Sequence, residues 1–179
     1  SKAYEVLTNL SSTKNNIILD FNYTASTRLI LKQCGLSDED IDNRLIKVHG
    51  EASNNDIIFG VEDNAGIKKE HVFLRKAYNI KYKALNFSEL YDRIKSVAIF
   101  GHSLGETDHT YFNKLFQESC MYNKFSTNNN KEFWLFYYKE NGYHCMMQQL
   151  DSLTHNSLTS FRQYNRVNFI NTDKEKVFI

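Results

Sequence analysis

The chain has 179 residues, 41% of them hydrophobic types and 14% aromatic, which is enough apolar material for one domain with a substantial core. A formal net charge of +1 disfavours a general attraction to nucleic acid or to an anionic membrane, so a charged ligand would need a local site. The three cysteines, Cys34, Cys120 and Cys145, form no CxxC pair, which argues against a disulfide scaffold or zinc ribbon and suggests buried thiols in a reducing compartment.

Residues 1–9 are expected to form a short helix around Tyr4, Val6 and Leu7, and its abrupt start fits a cut from something longer. Ile17 to Asn22 is the first strand candidate, and Thr24 or Ser26 is placed to cap a helix that carries Leu29, Ile30 and Leu31 and ends at Gly35. Ser37 is expected to cap the acidic turn Asp38-Glu39-Asp40, whose charges suit a helix N-terminus. Leu45 to Gly50 predicts a short strand ending in His49 and Gly50, and Asp56 to Gly60 repeats the plan with Glu62 and Asp63 beyond it. The mixed, basic stretch Ile67 to Leu85 predicts a solvated face, and Ser88 opens a helix carrying Leu90, Tyr91 and Ile94.

The organising stretch is Ser96 to Asp108, where the apolar run Val97 to Phe100 enters the turn Gly101-His102-Ser103-Leu104-Gly105 and then a helix with Asp108 at its cap. Phe112, Leu115, Phe116 and Cys120 share one face of that helix. Ser126 to Lys131 is expected to be a polar turn. Phe133 to Tyr138 and Gly142 to Met147 look like a hairpin around Glu140-Asn141-Gly142. Residues 151–164 are expected to be helical, with a last strand at Val167 to Ile170.

Alternating strands and helices predict a single α/β domain over residues 1–179, a Rossmann-like layered fold with a mainly parallel sheet flanked by helices and an antiparallel edge in the late hairpin. Parallel strands bring their carboxyl ends to one rim. Asn22 with Thr24, His49 with Gly50, Gly60 with Glu62, and Gly101 to Gly105 would then converge on one crevice. No run is long and apolar enough for a bilayer and residues 1–30 lack the plan of a signal peptide, so a cytoplasmic protein without a membrane partner is expected.

Within that crevice His49 suits a proton acceptor near pH 7, set against the commoner buried structural histidine, and Asn22 suits the orientation of a ribose or a water. His71, His102, His109, His144 and Cys145 show no metal-ligand spacing, and no metal is expected. Gly101 to Gly105 also matches G-x-S-x-G, the turn that exposes a serine nucleophile, with Asp151 and His155 as the nominal partners of Ser103. Glu106-Thr107-Asp108 extends the loop where a nucleophile elbow would enter its helix directly.

Four blocks, Phe21-Asn22-Tyr23-Thr24, Val48-His49-Gly50, Ile58-Phe59-Gly60-Val61 and Phe100 to Asp108, together resemble the AbiH bacteriophage abortive-infection family over about residues 17–120. The amino-terminal G-N-G-F-D block of that pattern is absent, so the chain resembles the carboxyl-terminal part of a longer protein, with the missing segment as its partner. AbiH-like proteins are in turn similar to sirtuin-like domains. By that resemblance NAD is the substrate, cleaved at its nicotinamide–ribose bond in the full-length protein. Asn22 would orient the ribose or water, His49 would be the base, and Thr24, Gly50, Gly60, Gly101, His102, Ser103, Gly105 and Asp108 would shape the nucleotide pocket. Thr24 stands where sirtuin-like domains usually carry aspartate. A non-catalytic sensor or interaction domain is the alternative from a different class.

Overall fold

A computed structural model describes residues 1–13, 15–61, 65–78, 93–121 and 130–174. Within them the chain divides into two units, one inside Ser1–Lys83 and one inside Ala84–Lys176. The expected helix start at Ser88 with Leu90 and Tyr91, most of the turn from Ser126, and Glu62 with Asp63 lie outside the described residues.

The amino-terminal unit runs α1 (Lys2–Ser11), β1 (Ile18–Asp20), α2 (Ser26–Gln33), α3 (Asp38–Arg44) and β2 (Leu45–Lys47). Ser1 and Ser37 start α1 and α3 by accepting the amide N–H three residues on, from Tyr4 at 3.3 Å and Asp40 at 3.1 Å. Strand β1 pairs with β2 in parallel, from Ile18 opposite Leu45 to Asp20 opposite Lys47. Beneath the pair, Leu7, Leu31, Ile41 and Leu45 form the core, with Leu10, Ile18, Ile30 and Leu36 packed around it. Neither Thr24 nor Ser26 caps α2: its N-cap is Ala25, and the two hydroxyls bond each other at 2.6 Å. Asp56 to Gly60 forms no strand. Within it Ile58 gives its N–H to the His49 carbonyl at 3.0 Å, and just beyond it Val61 forms an isolated parallel bridge with Arg75.

The carboxy-terminal unit runs β3 (Ser96–Ile99), α4 (His109–Ser119), β4 (Glu132–Tyr137), α5 (Lys139–Leu153), α6 (Leu158–Tyr164) and β5 (Arg166–Asn171). The strands lie in the order β3-β4-β5 and both pairings are parallel. Phe116 of α4, Phe133 of β4 and Phe161 of α6 are fully buried and meet ring to ring at 4.8 to 5.5 Å. Each such ring contributes about 1.5–3 kcal/mol by burial. The expected hairpin is not formed, because Asn141-Gly142 lies inside α5. Met146, Leu150 and Leu153 of that helix are buried at helical spacing, and α5 is part of the crossover that joins parallel strands.

Mixed α/β architecture with parallel sheets is therefore the fold class, but the described strands lie in two sheets. A single rim shared by four strand ends is not built from one sheet. Among the described residues no helix is long and apolar enough to cross a membrane. The cysteines also differ from expectation: Cys34 and Cys120 are half-buried and Cys145 is exposed on α5.

Candidate functional site

In the amino-terminal unit the strand register sets the geometry. Asp20 and Lys47 share the last rung of the ladder, and Asn22 and His49 each follow one of them at the same interval. Asp20 is buried; its Oδ1 accepts the Asn22 backbone N–H at 2.9 Å and its Oδ2 accepts from Lys47 Nζ at 2.9 Å. The same ammonium donates to the Asn22 carbonyl, to the Thr24 carbonyl at 2.7 Å, and lies 3.9 Å from Glu51 Oε2. Glu51 is buried as well, takes the Ser53 hydroxyl, and gives its backbone N–H to Asp56 Oδ1 at 2.6 Å. Charges withdrawn from water are tolerated only when paired and hydrogen-bonded. One lysine between two carboxylates and two carbonyls meets that requirement, and it pins the loop that carries Asn22.

His49 is only 6% exposed, with its ring edge-on to Phe21 at 5.5 Å and stacked on Tyr23 at 6.0 Å. Asn22 and Thr24 are exposed beside it in sequence. Gly50 has φ +74, and an added Cβ would lie 2.2 Å from the Asp56 carbonyl oxygen, so its bare Cα is required by the neighbouring backbone. Gly60 is exposed and held against Leu74.

Gly101, His102, Ser103, Gly105 and Asp108 lie together in the carboxy-terminal unit, in the loop after β3. His102 Nδ1 accepts the Leu104 N–H at 2.9 Å, which assigns the ring proton to Nε2, 3.3 Å from Asp108 Oδ2. His109 Nε2 meets the Leu104 carbonyl at 3.0 Å and Gln149 Oε1 at 2.9 Å, and both partners are acceptors, so it too carries the proton. Leu104 is thus held from both sides, with its side chain fully buried and φ at +54. Asp108 occupies the N-cap position of α4 but makes no capping bond there, because its carboxylate is turned to His102.

A nucleophile elbow is not present. The positive φ angles fall on Gly101 and Leu104 and not on Ser103, and Ser103 Oγ makes no hydrogen bond among the described residues. His155 instead bonds Gln117 at 3.0 Å in the last turns of α4, the end away from Ser103.

An open cavity of about 530 Å³ lies beyond the carboxyl ends of β4 and β5, lined by Tyr137, Lys139, Tyr143, Asn171, Asp173 and Lys174 among others. Tyr143 is wedged between Tyr137 at 5.3 Å and Phe169 at 5.4 Å. The Lys139 ammonium sits 4.8 Å above the Tyr138 ring, and a hydrogen bond to Tyr138 holds its pKa above the ordinary lysine value. Sequence reasoning missed this site because Asn-Gly reads as a turn. The burial spacing of Met146, Leu150 and Leu153 was the signal against it. Asp20, Lys47 and Glu51 were missed too, since nothing local marks a lysine in a short strand as the partner of two buried carboxylates.

A family model described as bacteriophage abortive infection AbiH matches residues 2–138. That span takes in Asn22, His49 and the loop from Gly101 to Asp108, while the cavity residues from Lys139 onward lie past it. No curated protein and no solved structure matches the chain.

Proposed function

Because the chain belongs to the bacteriophage abortive infection AbiH family, we propose that it serves phage defence by binding a nucleotide and cleaving the nicotinamide–ribose bond of NAD. Water attacks the anomeric carbon, the C–N bond breaks with its electron pair leaving on neutral nicotinamide, and His49 takes the proton released by the water. Asn22 orients the ribose or the water with its carboxamide. The Lys47–Asp20 clamp keeps the Asn22 loop in position. The observation that carries this reading is the register of β1 and β2, in which Asn22 and His49 follow a paired rung at the carboxyl end of parallel strands, where ligands of open α/β sheets gather.

Nicotinamide release from NAD tests the reading directly, alongside plaque formation in cells carrying the same variants. His49→Ala should lower turnover about 10²- to 10⁴-fold, the usual contribution of a general base. Asn22→Ala should lower it less, since water can replace an orienting amide in part. The burial of His49 between Phe21 and Tyr23 favours a second reading, a sensor that binds without cleaving. Phage protection without nicotinamide release, lost on His49→Ala through instability alone, would establish that one.

A further inference from the structure

Three rings of the amino-terminal unit form a graded stack. His49 lies 6.0 Å from Tyr23 at 29°, and Tyr23 lies 5.4 Å from Phe59 at 34°. Exposure rises along it from 6% at His49 through 37% at Tyr23 to 71% at Phe59. The inner end is closed by Phe21, edge-on to His49, whereas the outer end is a phenyl ring in water.

Phe59 is not exposed because its segment is loose. The preceding residue, Ile58, is buried and bonds the His49 carbonyl at 3.0 Å. Beyond it, Val61 donates to the Leu74 carbonyl at 2.8 Å and accepts from the Lys76 N–H at 2.9 Å. Gly60, with φ +152, brings its Cα so close that an added Cβ would lie 2.5 Å from the Leu74 oxygen. Backbone bonds thus fix the chain on both sides of an apolar side chain turned to solvent, at a cost that packing does not return.

We propose that the His49–Tyr23–Phe59 stack is a docking platform for the planar heteroaromatic ring of a nucleotide. A flat ring laid on Phe59 would lengthen this row of rings, in which Tyr23 is stacked on His49 and Phe59 is tilted against Tyr23, and every nucleobase and the nicotinamide ring has such a face. Asn22, next to Tyr23 in sequence, is exposed, and its carboxamide makes no hydrogen bond among the described residues. It offers a donor and an acceptor to a ring edge or a ribose. The inference rests on the nucleotide reading of this unit and not on cleavage.

Calorimetric titration of the whole chain with adenosine monophosphate, nicotinamide mononucleotide, NAD and ring-free ribose 5-phosphate tests it. Phe59→Leu keeps the apolar bulk without the ring and should weaken the ring-bearing ligand by about tenfold or more, the usual size of a lost base stack. Phe59→Trp should retain binding, and ribose 5-phosphate should not respond to either change. The two mononucleotides show which ring of NAD the platform takes. Wild-type affinity in Phe59→Leu, equal affinity for ribose 5-phosphate, no binding of any ring-bearing ligand at millimolar concentration, or an equal loss in Phe73→Leu on another exposed ring would each overturn the platform. Binding that depends on Phe59 without nicotinamide release retains the platform and removes the cleavage reading. Cleavage with an unchanged KM in Phe59→Leu does the reverse.

Discussion

The loop after β1 and the loop after β3 leave equivalent points, the carboxyl ends of parallel strands, and are held by opposite chemistries. After β1 a half-buried ammonium gathers the buried Asp20 and Glu51 carboxylates and the carbonyls of Asn22 and Thr24. After β3 the loop is held by imidazoles: His102 accepts the Leu104 N–H and His109 donates to the Leu104 carbonyl. The ionic anchor is strong but punishing, because removing one charge strands the others in a medium that solvates them poorly. The imidazole anchor is weaker and more tolerant, since its loss leaves neutral backbone groups to find water and takes His102 from the Asp108 carboxylate, which keeps some exposure of its own.

The sharpest way to break the comparison is Lys47→Met, expected to cost about 3–5 kcal/mol in denaturant unfolding because Asp20 and Glu51 stay buried without their cation. Adding Asp20→Asn should restore part of that loss, and a cost under about 1 kcal/mol for Lys47→Met would show that the cluster holds nothing. His102→Ala is the matching change in the other unit and should cost about 1–2 kcal/mol, with faster amide exchange at Leu104 as the local sign. If it cost as much as Lys47→Met, the proposed difference between the anchors would be wrong.

Thiol labelling gives a smaller, more local reading. Exposed Cys145 should alkylate first, whereas burial pushes the Cys120 thiol above its ordinary pKa and its Sγ donates to the Phe116 carbonyl, so it should react last. Half-buried Cys34, 3.4 Å from Thr8 Oγ1, should speed up in Lys47→Met if the amino-terminal unit loosens. Smallest is the acid response of the surface pair Lys32–Asp38. The Lys32 hydrogen bond, with help from Lys32 and Arg28 charge, holds the Asp38 carboxyl below its ordinary value. A depressed carboxyl adds stability above its unfolded pKa and loses it as pH falls through the folded one. Lys32→Met should therefore raise the Asp38 midpoint in an NMR titration, and an unmoved midpoint would remove the pairing.

What could be read from the sequence was what neighbouring residues decide among themselves. Ser37 before three acids is a cap wherever it sits, and Phe112, Leu115 and Phe116 face one way because a helix turns every 3.6 residues. Distant partners decided the rest. Asp56 to Gly60 has strand-like residues, but Ile58 bonds the His49 carbonyl and Val61, which follows, bonds the segment around Arg75. Asp108 looked like a cap until His102 was placed across from it. At the site, Asn22 and His49 were legible as strand-end residues. The clamp below them depends on Asp20 meeting Lys47 across a ladder, and no local pattern encodes that register.

The exclusively parallel pairing of the described strands has a consequence in time. An antiparallel hairpin zips from its turn within microseconds, but each ladder here waits for a crossover to close, from Ile18 to Leu45, from Ser96 to Glu132 and from Glu132 to Arg166. Loop-closure entropy has to be overcome before any rung forms, and chains dominated by such non-local pairing reach the native state in milliseconds to seconds. During that interval the apolar edges of β4, the most buried strand, have no partner, and a nascent chain carrying Phe133, Leu135 and Phe136 would expose a sticky segment to its neighbours on the ribosome.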